Sequence, residues 1–208
     1  MDILYEDPAV IVCIKPRGIL SQADKNGGES MITKLQAHTG GEIYPVHRLD
    51  KETGGVMVYA KTQKAAAKLS RDISEHRFYK EYLAVVHGVP EENSGTFCDL
   101  LFHDRAKNKS FVVKQERKGV KKAELYYEVL EIREKDGEKY TLLRVVLHTG
   151  RTHQIRVQFS HRKMPLLGDR KYGAKDGEKN LGLWAQRLKL FHPETSEEME
   201  FTVKENLL

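Results

Sequence analysis

Two cysteines, Cys13 and Cys98, are all that 208 residues contain, and neither has a second Cys or a His at metal-ligand spacing. Both sit among apolar neighbours, so both are expected to be buried and chemically idle. No basic segment followed by an apolar stretch opens the chain, and no run approaches the roughly 20 apolar residues of a membrane span. A cytoplasmic protein is therefore expected, with no membrane partner. His47, His148, His153 and His161 form no His-x-x-x-His pair, which argues against a metal site. Neither a Gly-x-Ser-x-Gly elbow nor a glycine-rich phosphate loop occurs, which removes the common serine hydrolase and nucleotide-binding readings. Internal repeats and low-complexity linkers are also missing, so residues 1–208 are read as a single domain.

What is present is charge, unevenly spread. The formal net charge is +5, but residues 105–122 hold eight basic side chains against Glu116 alone, and residues 151–175 hold seven against Asp169 alone. Segregation of this kind fits a surface that faces a polyanion.

Along the chain, Ile3-Leu-Tyr and residues 9–14 are short β-prone runs that read as a hairpin, closed by the turn Lys15-Pro16-Arg17-Gly18. Ser30 caps a helix to His38, stopped by Gly40-Gly41. Thr62 caps a second, from Gln63 to about His76, with Ala66, Leu69 and Ile73 on one face. Residues 78–87 form a strand whose alternation puts Phe78, Lys80, Tyr82 and Ala84 on one face. The basic stretch 105–122 is expected to be an exposed hairpin turning at Lys118-Gly119. Residues 123–133 and 140–148 form another around Lys135-Asp136-Gly137. Thr152 is expected to cap a helix holding Arg156 and Gln158-Phe159 in its first two turns, and residues 183–191 and 199–203 are terminal strands. The sum is an α+β fold with a mixed, mostly antiparallel central sheet flanked by helices and loops.

The densest stretch is His47-Arg48-Leu49-Asp50-Lys51-Glu52-Thr53-Gly54-Gly55, a charged turn that runs into the apolar strand Val56–Ala60. Chemistry is commonly placed on loops held by a rigid scaffold. Residue types alone leave two readings: a cofactor-free site built on Asp50, or a binding surface.

That turn resembles the signature of the RluA class of pseudouridine synthases. Lys15-Pro16-x-Gly18-Ile19, Lys80-x-Tyr82-x-Ala84, Gly119-x-x-x-Ala123, residues 149–157 (Thr-Gly-Arg-Thr-His-Gln-Ile-Arg-Val) and Leu167-Gly168-Asp169-x-x-Tyr172-Gly173 resemble further family motifs, in the family's order. The resemblance implies the family's catalytic fold, with a cleft across the sheet, and a metal- and cofactor-free isomerisation of uridine in ribosomal or transfer RNA. It implies that Asp50 is the essential carboxylate, as nucleophile or as stabiliser of the detached sugar. Arg156 resembles its charged partner, and Tyr82 the tyrosine that stacks on the uracil and takes the C5 proton. Arg48 resembles the arginine that enters the stack as the target base flips out. Lys80 and Ile155 would line the pocket; His47, Arg151, His153 and Lys15 complete the substrate-binding set. The enzyme is expected to act as a monomer. A chain that starts with a strand at Ile3 is expected to lack the small RNA-binding domain that precedes the catalytic one in many members. Two positions depart from the pattern: Gly54 stands where the family commonly has Ser, and Gln158 where it has His. A non-catalytic RNA-binding relative would be expected to lose Asp50, Tyr82 or Arg156. A nucleoside hydrolase would want a second carboxylate, for which Glu52 is the near candidate.

Overall fold

A computed structural model describes residues 1–23 and 27–207. In chain order the elements are β1 (Asp2–Glu6), β2 (Val10–Lys15), α1 (Met31–Thr39), β3 (Tyr44–Pro45), β4 (Gly54–Ala60), α2 (Gln63–Ser74), β5 (Tyr79–His87), β6 (Ser94–Asp104), β7 (Lys109–Val113), β8 (Val120–Lys135), β9 (Glu138–Leu147), α3 (Gln154–His161), β10 (Leu183–Phe191) and β11 (Glu198–Thr202). The chain divides into two compact units, Met1–Lys80 with Trp184–Glu205, and Glu81–Leu183.

In the first unit β4 is the centre. All of its residues are buried, which is why its sequence is a continuous apolar run rather than an alternating one. β2 pairs with it antiparallel, from Val10 opposite Ala60 to Lys15 opposite Gly55, and β10 pairs with it parallel at Gly54 and Gly55. β1 and β11 extend the unit antiparallel to β2 and β10. The β1–β2 turn is closed by Asp7, whose Oδ1 accepts from the backbone N–H groups of Ala9 and Val10 at 2.8 and 2.7 Å. Ser30 and Thr62 cap α1 and α2 as expected, and Gly40 ends α1 at φ +69°. The buried stripe of α2 is not the expected one: it runs through Ala65, Leu69 and Asp72. Asp72 can lie inward because Lys68 and Arg77 reach its carboxylate at 2.6 and 2.5 Å, which compensates the buried charge.

The second unit is antiparallel throughout, in the order β5, β9, β8, β6, β7. β8 and β9 are joined at Asp136 and Gly137, both at positive φ, as a two-residue hairpin turn demands. The basic hairpin is arranged differently from the expectation. Its arms are β6 and β7, turned at residues 105–108, and Lys118-Gly119 only leads into β8, which pairs with the other side of β6. β6 escaped the sequence reading because Gly95 and Asp99 interrupt it and its burial alternates weakly. Cys13 is buried but Cys98, on β6, is exposed, against the expectation of burial. Within the two units every strand pair is antiparallel except β4 with β10, so the sheet is mixed and mostly antiparallel. Among the described residues no helix is long and apolar enough to cross a membrane.

Candidate active site

The turn that carries Asp50 lies between β3 and β4, and its backbone is clamped at several points by residues far away in sequence. The Ser21 hydroxyl donates to Leu49 O at 2.9 Å and accepts from Leu49 N–H at 3.0 Å. Gly18 N–H donates to Lys51 O at 2.8 Å, and Thr53 N–H closes the turn on Asp50 O at 3.1 Å. Lys15, at the end of β2, sends its Nζ to Pro16 O at 2.9 Å and Lys51 O at 3.0 Å. Leu49 is thus pinned inward, while Arg48 is exposed and Asp50 half-buried on either side of it.

Lys15 has no exposed surface, and burial pushes its pKa down to about 8 against the opposing pull of Glu52 and Asp50. His47 serves the scaffold. Its Nε2 accepts from Val58 N–H at 3.1 Å, and its ring meets Phe78 edge-on at 5.3 Å. Burial, then the charge of Lys80, lowers its pKa to about 3, so the ring is neutral.

Gly54 and Gly55 are needed by packing. A Cβ at Gly54 would lie 2.2 Å from the Trp184 ring, and one at Gly55, φ +122°, would lie 2.2 Å from Ala185 O. The two glycines let β10 approach β4. Trp184 in turn stacks under the Arg17 guanidinium at 4.8 Å, which Glu205 holds at 2.7 Å.

In the second unit the residues group on one face of the sheet. Tyr82 stands opposite Val145, and Val145 opposite Tyr127, whose ring is 5.8 Å from that of Phe159 on α3. Directly opposed residues share a face, so Tyr82 points to the side on which α3 packs. Tyr82 is 7% exposed. Arg156, also buried, forms a fork with Asp169: Nε to Oδ2 and Nη2 to Oδ1, both 2.7 Å. The fork uses two of the five donors that a guanidinium carries. Tyr172 lies against the Arg156 guanidinium at 5.2 Å, accepts from Ser110 N–H at 2.8 Å and pairs with His153 Nδ1 at 3.0 Å.

The start of α3 corrects the expected Thr152 cap. His153 occupies the cap position at φ +55° and makes no side-chain cap bond, and Thr152 instead offers its carbonyl to Ser110 Oγ at 2.6 Å. The loop is fixed by Gln154, which accepts from Thr149 Oγ1 and Arg151 N–H at 2.7 and 3.0 Å and donates to Glu124 O at 3.0 Å. A non-glycine residue held left-handed costs about 1–3 kcal/mol and needs such surroundings.

Of the expected site residues, Lys15, His47, Arg48, Asp50 and Lys80 fall in the first unit, and Tyr82, Arg151, His153, Ile155 and Arg156 in the second. Ile155 is buried at the head of α3, and Arg151 is exposed with its Nε on Lys122 O at 2.9 Å. Sequence reasoning gave no role to Ser21, Gln154, Asp169, Tyr172 or Trp184. Asp169 and Tyr172 were visible as motif residues, but Ser21 and Trp184 carried no local signal. Gln158 points at Asp99, 2.7 Å away, which also pairs with Arg162 at 2.8 Å. Among the described residues no group of three or more His, Cys, Asp or Glu is arranged to hold a metal ion.

Residues 9–161 match the family model described as RNA pseudouridylate synthase. The chain is 34% identical to ribosomal large subunit pseudouridine synthase D of Haemophilus influenzae, over 97% of this chain and 66% of that one. It is 30% identical to tRNA pseudouridine synthase C of Pasteurella multocida, over 96% of this chain and 89% of that one. Its fold is similar to that of human RNA pseudouridylate synthase domain containing 1, with a TM-score of 0.82 at 24% identity, covering 98% of this chain and 83% of the human one.

Proposed function

The chain belongs to the RNA pseudouridylate synthase family of uridine isomerases, and from that premise we propose that Asp50 is the carboxylate on which its reaction turns, in ribosomal or transfer RNA. Uridine and pseudouridine have the same atoms. The C1′–N1 bond breaks, the uracil turns, C1′ bonds to C5, and the C5 proton ends on solvent or nitrogen. Nothing is oxidised and no group is imported, so the chemistry asks for charge stabilisation and one proton acceptor rather than for a metal or a cofactor.

The charged residues of the first unit supply the first need. Asp50, as nucleophile or as counter-charge to the cationic sugar, must be held still, because a shift of about 1 Å can cost on the order of 100-fold in rate. Support comes from the turn itself: Ser21, Gly18 and Lys15 fix the backbone on both sides of Asp50. Tyr82, on β5, is the residue proposed to stack on the uracil and take the C5 proton. Arg156 is proposed as a cationic group of the reaction, and its fork with Asp169 fixes the plane of the guanidinium. Arg48, exposed beside Asp50, is proposed to fill the gap in the RNA when the target nucleotide flips out, and Lys80 and Ile155 are each proposed as substrate contacts. His153 is proposed to act through Tyr172. Arg151 is proposed as a phosphate contact.

The observation that carries the reading is the family match across residues 9–161, with Asp50 standing in the clamped turn. The test is pseudouridine mapping of ribosomal and transfer RNA from cells carrying wild-type protein, no protein, or Asp50→Asn. The sites lost without the protein should stay lost with Asp50→Asn while the purified variant still binds RNA. Conversion by Asp50→Asn at a tenth of the wild-type rate, about 1.4 kcal/mol of barrier, would remove Asp50 from the chemistry. Activity of the wild type should survive a metal chelator.

A further inference from the structure

The basic edge of the second unit presents a face that the proposed chemistry does not use. Phe102 of β6 stands directly opposite Phe111 of β7, and on its other side opposite Val120 of β8. Leu100 likewise lies between Val113 and Lys122. Opposed residues share a face, so the three strands set two rings and three aliphatic side chains side by side. This is the face away from α3, because the intervening residues Leu101, Val112 and Ala123 pack with Val157 and Tyr172 on the other side.

Apolar groups of this kind are left open here. Phe111 is 38% exposed and Phe102 half-buried. Arg117 lies 5.0 Å from the centre of the Phe102 ring, whereas Lys109 Nζ, 5.9 Å from that of Phe111, is held at the sheet edge by Lys171 O at 2.6 Å and lies 5.0 Å from the Tyr172 ring. Lys122 stands on the same face; its near neighbour Glu124, at 3.6 Å, and Asp104, which accepts from Lys107 N–H, are the acids that border the patch.

We propose that this open face of β6, β7 and β8 is a stacking platform for an unpaired stretch of RNA, with bases on Phe111 and Phe102 and phosphates on Arg117 and Lys122. Exposed rings on the middle and edge strands of an antiparallel sheet are how sheet domains hold unpaired RNA. The charge decides against a protein occupant, since eight cations against one acid over residues 105–122 repel a second copy of the same surface and attract a phosphate chain. Duplex RNA hides its base faces and would gain nothing from the rings. The proposal rests on the reading of the chain as an RNA-modifying enzyme: the platform would hold single-stranded RNA flanking the target.

Fluorescence anisotropy with a labelled oligouridylate of about twelve nucleotides, a length in the range of known single-strand sites, tests it on the full chain. Phe111→Ala should weaken binding at least about tenfold, 1.4 kcal/mol, and Phe111→Trp should restore it. Binding of a blunt RNA duplex of the same length should change less than about twofold. Arg117→Ala should lower affinity and reduce the salt dependence. Equal oligouridylate affinity in Phe111→Ala and wild type would overturn the proposal, as would equal losses on single strand and duplex. So would light scattering that shows a wild-type dimer broken by Phe111→Ala with RNA affinity intact. Pseudouridine mapping is independent of these readouts. If no site depends on the protein but the Phe111 effect is seen, the isomerase reading fails and the binding face stands.

Discussion

Replacing Lys15 by methionine keeps the aliphatic stem of the side chain and removes an ammonium that reaches Pro16 O and Lys51 O. Two opposite effects follow at neutral pH. The buried ammonium is charged at a cost, because burial lowers its pKa from 10.5 to about 8; that shift corresponds to about 3 kcal/mol, which the variant no longer bears. Against this, two carbonyls lose a charged donor, worth about 1.5–3 kcal/mol each. At pH 7 the variant should therefore be between about 0 and 3 kcal/mol less stable than wild type, while activity falls at least about tenfold because the Asp50 turn has lost its tie to β2.

The pH dependence separates the two effects. The folded-state pKa of Lys15 lies below the unfolded one, so between about 8 and 10.5 the unfolded chain binds the extra proton and wild-type stability rises with pH. From pH 7 to pH 9.5 that gain amounts to about 2 kcal/mol, and the methionine variant cannot have it. Groups common to both proteins cancel in the difference. Urea unfolding of both at the two pH values should show the gap widening by about 2 kcal/mol in favour of wild type. A gap constant to about 0.5 kcal/mol would refute the buried, weakly basic Lys15.

Tyr82→Phe should keep its place on β5, with Tm within a few degrees of wild type, and lose turnover sharply in a single-turnover assay; full activity would leave the hydroxyl without a role. Asp169→Asn removes the carboxylate charge from the buried fork with Arg156 and should cost about 3 kcal/mol in chemical denaturation, and a loss under 1 kcal/mol would mean that the pair is not a support. Gly54→Ser forces an oxygen-bearing side chain against Trp184 and should cost about 1–3 kcal/mol, with Trp184→Leu in the same chain recovering part of the loss.

Elements whose signals are local were legible before the structure. The caps Ser30 and Thr62, the apolar run of β4 and the Asp136-Gly137 turn each depend on residues within a few positions of one another. The failures involve partners that local pattern does not reveal. β6 has little alternation of its own and is held by pairing on both sides with β7 and β8. The stripe of α2 rotates because Arg77, beyond the end of the helix, and Lys68 make a buried Asp72 tolerable. Thr152 has a good capping side chain, yet its carbonyl is taken by Ser110, 42 residues earlier, and the chain enters the helix through a left-handed His153 instead. At the site, the motifs named Asp50 and Arg156 but not what holds them. Ser21 and Leu49 are 28 residues apart, Lys15 and Lys51 36 apart, and only the fold joins them.

Partners distant in sequence also surround Gly54 and Gln158, the two positions that differ from the motifs the chain resembles. At Gly54 the space that a serine side chain would need is filled by an indole, since β10 runs parallel to β4 and sets Trp184 directly beside that position. The indole buries against the turn and carries Arg17 on its face. Residues 54 and 184 should therefore be coupled in stability, and a serine at 54 should be tolerated best where 184 is small. Gln158 is fully buried with its amide on Asp99, which Arg162 also grips, so its hydrogen bond ties α3 to β6. An amide has no charge to lose, and this tie therefore holds at any pH at which Asp99 remains ionised, whereas a histidine in its place would bring a titration of its own. Neither position carries a group proposed for the chemistry; both are packing positions of the scaffold.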